Sequence, residues 1–195
     1  MREGWIETTL GEVATRMIGR TPSRKEPRYW THDLSHPFFT IADMTSRNVT
    51  TGREGITESA IEERQAKRVP AGSLLLSFKL SIGKVAITDR DVYPNEAIAW
   101  IAPKDCVSQD FLALALENVQ WDELGGRAVK GRTMNKASLD AVRLVVPPLE
   151  EQRRIVDLID AIDSVLAAGT SVSEQLNRVL KRLRDRIPEG VMVPL

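Results

Sequence analysis

Residues 147–152 read PPLEEQ, and at this point a mixed α/β pattern gives way to one long amphipathic helix, predicted to end near Ile187. Counting in sevens from the first turn places apolar residues at the two core positions of each heptad, with Gly169 as the exception. These seam residues are Ile155, Leu158, Ile162, Val165, Val172, Leu176, Val179 and Leu183. The pattern is typical of a coiled coil. Because no second helix of comparable length is predicted in the chain, the seam indicates a partner.

The charges along this helix favour an antiparallel copy of itself as that partner. Its first half is mainly acidic and its second half mainly basic. The acids are Glu150, Glu151, Asp157, Asp160 and Asp163, and the bases are Arg178, Lys181, Arg182, Arg184 and Arg186. Two copies related by a twofold axis near Gly169 would set acid against base at both ends. At about 1.5 Å per residue, roughly 38 residues make a rod of ~57 Å, which would hold two globular domains apart.

A hairpin within one chain is the alternative interpretation of this segment. Gly169-Thr170-Ser171 followed by Glu174 matches a helix C-cap and a capping box, which would split the helix in two. Such a hairpin would also bring the acidic and basic halves together. Charge alone therefore does not decide between the two arrangements.

Length and composition indicate a single folded domain with an appendage. The chain has 195 residues, of which 42% are hydrophobic, and this suits one domain of about 145 residues with its own core. Its 27 Lys and Arg balance 27 Asp and Glu, so only the distribution of charge can point to nucleic acid. Basic segments at residues 16–30 and 127–143 flank a neutral middle.

Cysteine content and the N-terminal sequence favour a cytoplasmic protein. The single cysteine, Cys106, excludes an intrachain disulfide framework and fits a reducing compartment, and its expected role is packing. The first residues lack the apolar run of a signal peptide, and no segment approaches the length of a membrane span. No membrane partner is expected.

Before the double proline, the pattern predicts an α+β domain built on a mixed or antiparallel β-sheet. Short strands are predicted at 38–41, 74–78, 85–88, 97–101 and 144–146. A helix is predicted from Asp110 to Asn118 with Ser108 as its N-cap, and a shorter one at 59–67. The first strand leads into a helical turn whose Leu10 and Val13 are expected to face inward.

No catalytic constellation is evident in the sequence. His32 and His36 are four residues apart, but Pro37 follows directly, so a shared helical face for a metal is not expected. Neither phosphate-binding glycine motif occurs, and the Asn-Pro-Pro-aromatic and Asp-Pro-Pro-aromatic motifs of amino-methyltransferases are missing. The chain is therefore predicted to bind rather than to catalyse, with no metal and no cofactor of its own.

Three glycine-framed polar loops carry the side chains best suited to DNA. The candidates are Arg20, Thr21, Ser23, Arg24 and Lys25 in the first loop, Lys79, Ser81 and Lys84 in the second, and Lys130, Arg132, Thr133, Asn135 and Lys136 in the third. Cations and hydroxyls bind phosphate, while arginine and asparagine also read guanine and adenine in the major groove. For each loop taken alone, a solvated charged segment is the commoner explanation. Three together, without competing catalytic residues, make nucleic-acid binding the working hypothesis.

Five short motifs in a fixed order extend over nearly the whole chain. They are WxxxxLGE from Trp5, GxTPS from Gly19, PxGSLLLS from Pro70, IGKVAI from Ile82 and PPLxEQxxIV from Pro147. Together they resemble the DNA specificity subunit of type I restriction-modification systems, and the last motif is the most specific. That family usually carries two recognition domains and two antiparallel helices in one chain. This sequence has one of each, so it resembles a half-size subunit.

The resemblance implies a division of the chain and a function. Residues 1–146 would form a target-recognition domain that binds DNA, and residues 147–195 a conserved helix for spacing and dimerisation. The subunit would be non-catalytic and would read a bipartite site in double-stranded DNA as an antiparallel homodimer. Methyltransferase subunits would dock on it and supply S-adenosylmethionine, and a restriction subunit is a further candidate partner. The motifs give neither the target bases nor the gap between half-sites.

Two alternatives from other classes stay open on sequence alone. A coiled-coil scaffold, whose globular domain binds protein and not DNA, fits the helix equally well. An enzyme of an unrecognised kind is the other, but the missing pairs of nucleophile and base argue against it.

Overall fold

The computed structural model describes residues 3–49, 52–121 and 134–184, and of residues 48, 49 and 170–184 it describes the backbone alone. The chain divides into two units between Arg153 and Arg154. Within the described residues, the first unit contains three β-sheets, four short α-helices and the beginning of a long helix. The rest of that helix lies in the second unit. The boundary predicted between residues 146 and 147 stays a prediction.

Short strands and helices succeed one another along the first unit. In chain order they are β1 (Ile6–Thr9), α1 (Leu10–Val13), β2 (Ala14–Ile18), β3 (Trp30–Thr31), β4 (Pro37–Phe39), β5 (Asn48–Val49), β6 (Glu54–Ile56), α2 (Glu58–Glu62), β7 (Leu74–Ser77), β8 (Val85–Thr88), β9 (Tyr93–Pro94), β10 (Ile98–Pro103), α3 (Gln109–Glu117), α4 (Lys136–Asp140), β11 (Arg143–Val146) and the long α5 (Leu149–Arg184). Two 3-10 turns lie at Pro27–Tyr29 and Ile41–Asp43.

A five-stranded sheet forms the centre of the first unit, in the order β2-β10-β7-β8-β5. Its pairs are antiparallel except β5 with β8, which is parallel. Leu74, Leu75 and Leu76 are all 0% exposed, although successive side chains of a strand point to opposite faces. Both faces of the sheet are therefore covered at β7.

Two smaller sheets complete the α+β fold. A four-stranded sheet has the order β3-β6-β4-β9, with β4 and β9 parallel, and packs its own buried cluster around Phe38 and Ile56. A two-stranded ribbon pairs β1 with β11, so that Ile6 lies opposite Val146. The predicted fold class is confirmed for the first unit, which combines mixed and antiparallel sheets with short helices.

Local predictions from sequence agree with the structure in most places. Ser108 caps α3, because its Oγ accepts a hydrogen bond from the backbone N–H of Phe111 at 3.3 Å. Leu10 and Val13 are each 2% exposed, as expected for an inward-facing turn. The packing role expected for Cys106 is wrong, since this side chain is exposed.

A buried glutamine holds the start of α5. Gln152 is 0% exposed; its Oε1 accepts from the backbone N–H of Ser108 at 2.8 Å. Its Nε2 donates to the carbonyl oxygens of Cys106 at 3.0 Å and Pro147 at 2.8 Å. Both donors of the amide are used and its oxygen is engaged, as a buried polar group requires. The first turn of α5 is thereby fixed to the loop that precedes α3.

The helix α5 continues through Gly169 without the break that a hairpin requires. At about 1.5 Å per residue, its 36 residues span roughly 54 Å. Leu158, Ile162 and Val165 of the predicted seam are 61%, 46% and 71% exposed. The side chains of Val172, Leu176, Val179 and Leu183 lie outside the described residues, so the coiled coil stays a prediction. Over the described part of the chain, no helix is long and apolar enough to cross a membrane.

Candidate nucleic-acid interface

The predicted loops converge at one end of the central sheet. The register places Ile18, the last residue of β2, opposite Ala99, and Ser77, the last residue of β7, opposite Ile98. The first loop therefore leaves the sheet at the same end as the second. The carbonyl of Phe78 accepts from the backbone N–H of Met134 at 3.1 Å, which brings the third loop there as well. We call this end the loop face and define it by residues 19–21, 78–84, 94–97 and 134–136.

A glycine lets the first loop lie against the loop before β10. A Cβ on Gly19 would stand 2.2 Å from the carbonyl oxygens of both Pro94 and Asn95. The N–H of Arg20 donates to the Pro94 carbonyl at 2.9 Å, and the Arg20 guanidinium donates to the Arg64 carbonyl at 3.0 Å. Arg20 remains exposed in this arrangement. Among the residues that the structure describes, no carboxylate pairs with its guanidinium.

The later part of the first loop engages the four-stranded sheet instead. Arg24 donates to both carboxylate oxygens of Glu54 on β6, at 2.7 and 2.5 Å, and its guanidinium stacks 3.5 Å above the Trp30 ring. These hydrogen bonds raise the pKa of Arg24 and lower that of Glu54. Ser23 accepts from the Trp30 indole through its carbonyl at 3.1 Å, while Lys25 stays exposed. The structure thus does not bring Arg24 to the loop face as a free cation.

The second loop contains one lysine held by the fold and one without an acidic partner. The ammonium of Lys84 donates to the carbonyls of Ile41 and Met44, both at 3.3 Å, which ties the loop to the 3-10 turn. Lys79 has its ammonium 5.4 Å from the centre of the Phe78 ring. Ser81 is exposed, and its carbonyl accepts from the Ser77 hydroxyl at 2.5 Å.

The third loop is described from Met134 onward. Asn135 caps α4, because its Oδ1 accepts from the N–H of Ser138 at 2.8 Å. Lys136 begins that helix and is exposed. A pocket of about 310 Å³ joins this loop to the second one and is lined by Ile18, Phe78, Lys79, Met134, Asn135 and Lys136. Lys130, Arg132 and Thr133 lie outside the described residues.

One carboxylate on the loop face was missed by reasoning from sequence. Glu96 is exposed and accepts a hydrogen bond from the Thr21 hydroxyl. That hydrogen bond, helped by the charge of Lys79, lowers the pKa of Glu96 and keeps it ionised. The DNA-binding candidates predicted from the sequence are cations, hydroxyls and one amide, so an acid is not among them. The sequence did offer one signal for Glu96, which is that it directly precedes the strand predicted at 97–101.

The histidines lie away from any metal-ligand cluster. His36 is within 2.8 Å of the Glu58 carboxylate through Nε2, and its ring meets Tyr93 edge-on at 5.8 Å between centres. Among the residues that the structure describes, no three His, Cys, Asp or Glu side chains lie together as a metal site.

Comparison with known proteins places this arrangement in a family. Residues 2–178 match the type I restriction modification DNA specificity domain. The chain belongs to this family. It is 28% identical over 180 residues to the MjaIX type I restriction enzyme specificity subunit of Methanocaldococcus jannaschii, covering 89% of this chain and 40% of that one. It is also 28% identical over 190 residues to the EcoR124I/EcoR124II specificity subunit of Escherichia coli, covering 92% and 46%.

Solved structures of specificity subunits share the fold. The HsdS subunit of Thermoanaerobacter tengcongensis matches with a TM-score of 0.72 and 26% identity, over 94% of this chain and 43% of that one. A chain from a study of complex assembly and conformational transition in the type I R-M system matches with a TM-score of 0.75 and 26% identity, over 94% and 44%. This specificity-family chain therefore spans less than half the length of these relatives.

Proposed function

We propose that this chain is a non-catalytic subunit that recognises a sequence in double-stranded DNA for a type I restriction-modification complex. The observation that supports the proposal is that the first two loops and the described end of the third, Met134 to Lys136, meet at one end of the central sheet, in a chain of the specificity family. Methyltransferase subunits would supply S-adenosylmethionine and the chemistry, and this chain would bind no cofactor. A restriction subunit would join the complex for cleavage.

Charge on the loop face supports contact with phosphates. Several arginines elsewhere in the first unit are paired with acids, as Arg24 is with Glu54 and Arg68 with Asp91. Arg20, Lys79 and Lys136 form no salt bridge within the described ranges. Unpaired cations gathered on one surface attract the DNA backbone, and the contacts release counterions. These three residues are therefore the proposed phosphate contacts.

The assembly that we propose is an antiparallel homodimer formed through α5. Leu158, Ile162 and Val165 make an exposed apolar stripe at the predicted heptad spacing, and water contact with such a stripe is unfavourable. The acidic and basic halves of the helix suit an antiparallel copy. Each copy would contribute one loop face, so the dimer would read two half-sites in inverted orientation.

The proposal is tested with the full chain assembled with its methyltransferase subunits. Sequencing of methylated DNA from cells that express this complex gives the target. Binding to that target is then measured over a range of salt concentrations for Lys79→Ala and Lys136→Ala. We expect each variant to bind more weakly on all sequences and to lower the salt slope by about one.

The matched control is Arg143→Ala, which removes an exposed cation on β11 away from the loop face. It should leave affinity and salt slope unchanged. If the two lysine variants bind DNA as the unsubstituted chain does, the loop face is not the DNA interface. If the complex also fails to discriminate target from mixed-sequence DNA, the chain is better explained as a coiled-coil scaffold.

A further inference from the structure

The loop face carries one acidic side chain, which is unexpected on a surface that we propose to contact DNA phosphates. Glu96 is exposed at the centre of this face, beside Thr21 of the first loop and close enough to Lys79 of the second for their charges to interact. DNA presents a dense row of negative charges, so a carboxylate on its binding surface is repelled by the backbone. A hydrogen-bond donor on the DNA can offset this repulsion, because carboxylates accept from the amino group of cytosine.

The backbone around Glu96 is fixed by the loops that surround it. The N–H of Asn95 donates to the Phe39 carbonyl at 2.9 Å, and the Asn95 side chain accepts from the N–H of Ala97 at 3.0 Å. The N–H of Phe78 donates to the Ala97 carbonyl at 3.0 Å. The residues before and after Glu96 are therefore both held by hydrogen bonds, which fixes the backbone from which its side chain projects.

The carboxylate of Glu96 is only half used within the domain. The Thr21 hydroxyl donates to Oε2, and Oε1 has no donor from another residue among those that the structure describes. Glu54 and Asp91 differ from Glu96 in this respect: both oxygens of Glu54 accept from Arg24, and both oxygens of Asp91 accept from Arg68 or the Ala71 N–H. Besides the Thr21 hydroxyl, only the backbone N–H of Glu96 itself bonds this carboxylate among the described residues, so Oε1 has no side-chain donor on the loop face.

We propose that Glu96 reads a cytosine by accepting a hydrogen bond from its exocyclic amino group in the major groove, with Thr21 as a positioning residue. In the major groove cytosine presents an N4 amino donor, and carboxylates accept from it. Lys79 offsets the repulsion between the carboxylate and the phosphates. The inference rests on the proposed function, because it takes the loop face as the DNA surface.

The experiment uses the assembled complex and the target found by methylation sequencing. Each base pair of the half-site is replaced in turn, and binding is measured for the unsubstituted chain and for Glu96→Gln, Glu96→Ala and Thr21→Val. We expect the unsubstituted chain to lose about 5- to 150-fold at one C·G pair when that pair is replaced. Both Glu96 variants should lose discrimination at that pair alone, and Thr21→Val should weaken it partly.

The matched control is Glu12→Gln. Glu12 is another exposed carboxylate bound by threonine hydroxyls, those of Thr8 at 2.8 Å and Thr9 at 3.1 Å, but it precedes β2 at the opposite end from the loop face. This variant should keep the full pattern of discrimination. Thermal unfolding of all variants should match the unsubstituted chain within a few degrees.

The possible outcomes separate this inference from the proposed function. If the Glu96 variants keep discrimination at every base pair, the inference is overturned while DNA recognition stands. If they bind every sequence more tightly by the same factor, Glu96 only repels DNA, and the inference is again overturned. If the unsubstituted complex distinguishes no sequence, both the inference and the proposed function fail.

Discussion

At the residue scale, Gly83 determines how the second loop closes. Its φ of +91° lies in the region that glycine alone adopts readily. A Cβ at this position would stand 2.2 Å from Cδ1 of Trp121, whose indole N–H donates to the Leu116 carbonyl at 2.9 Å. The loop, the end of α3 and the indole are therefore packed too closely for any side chain at Gly83.

We predict that Gly83→Ala destabilises the first unit by about 2 kcal/mol or more. The backbone conformation contributes about 1–2 kcal/mol of this cost, and the clash with Trp121 adds to it. Urea unfolding followed by tryptophan fluorescence measures the change. Gly72→Ala is the matched control, because Gly72 has a φ of +75° but no heavy atom near its missing Cβ. If the two variants lose the same free energy of unfolding, the close approach of Trp121 does not contribute to the effect.

Contacts between residues that are distant in the sequence determine which loop cations remain without a salt bridge or carbonyl partner. The composition of the loops predicted Arg24 and Lys84 as equals of Lys79. In the structure Arg24 is paired with Glu54 and Lys84 with two carbonyls, whereas Lys79 has no such partner. A local sequence pattern cannot identify a hydrogen-bond partner that lies thirty or forty residues away in the chain. For the same reason the acid at Glu96 could not be placed among these loops before the strand register was known.

At the element scale, the start of α5 depends on one amide. Gln152 bonds three backbone groups: those of Cys106 and Ser108 before α3 and that of Pro147 in the double proline. The PPLEEQ sequence predicted a helix start, and the structure has one at Leu149. What the sequence did not reveal is that the glutamine faces inward, since polar residues are ordinarily exposed.

We predict that Gln152→Glu lowers the free energy of unfolding by about 3 kcal/mol or more at neutral pH. A carboxylate would face the carbonyl oxygens of Cys106 and Pro147 without a proton to donate, and a buried unpaired charge is costly. Chemical denaturation of the full chain measures this loss. Arg153→Gln, a change at an exposed neighbour, should alter stability by less than about 0.5 kcal/mol. Stability of Gln152→Glu equal to that of the control would contradict the role assigned to this amide.

Elements were predicted well where one local period decides them. The helix α3 and the antiparallel pair β7 and β8 follow from apolar spacing and nearby caps or turns. The two-residue strands β3, β5 and β9 are too short to carry a period of two. The parallel pairs β4–β9 and β5–β8 join segments that are far apart in the chain. No hairpin turn connects their strands, so the sequence gives no local signal that predicts the pairing.

At the scale of the whole molecule, the assembly that we propose depends on the apolar stripe of α5. We predict that Leu158→Asn combined with Ile162→Asn raises the dissociation constant of the homodimer more than about 100-fold, since the double change removes apolar burial from both copies. Light scattering of the unsubstituted chain should give twice the 21.8 kDa of one chain. The double variant should give the mass of a single chain at the same concentration.

Ser164→Asn is the matched control for this change. Ser164 is exposed on α5 but lies outside the predicted seam, so this variant should remain dimeric. A single-chain mass for the unsubstituted protein at high concentration would rule out the proposed homodimer. An unchanged dimer in the double variant would place the interface elsewhere.

The pairing of β1 with β11 also constrains the order in which the first unit can form. Ile6 and Val146, opposite each other in this ribbon, are separated by nearly all of the domain. During synthesis on the ribosome, β1 emerges long before β11 has been synthesised, so β1 stays unpaired during that time. The central sheet can assemble in the meantime, but the domain is closed only when the residues just before the double proline have left the exit tunnel. Closure of the ribbon is thus a late step in the folding of a growing chain, and only the docking of Gln152 at the start of α5 has to follow it.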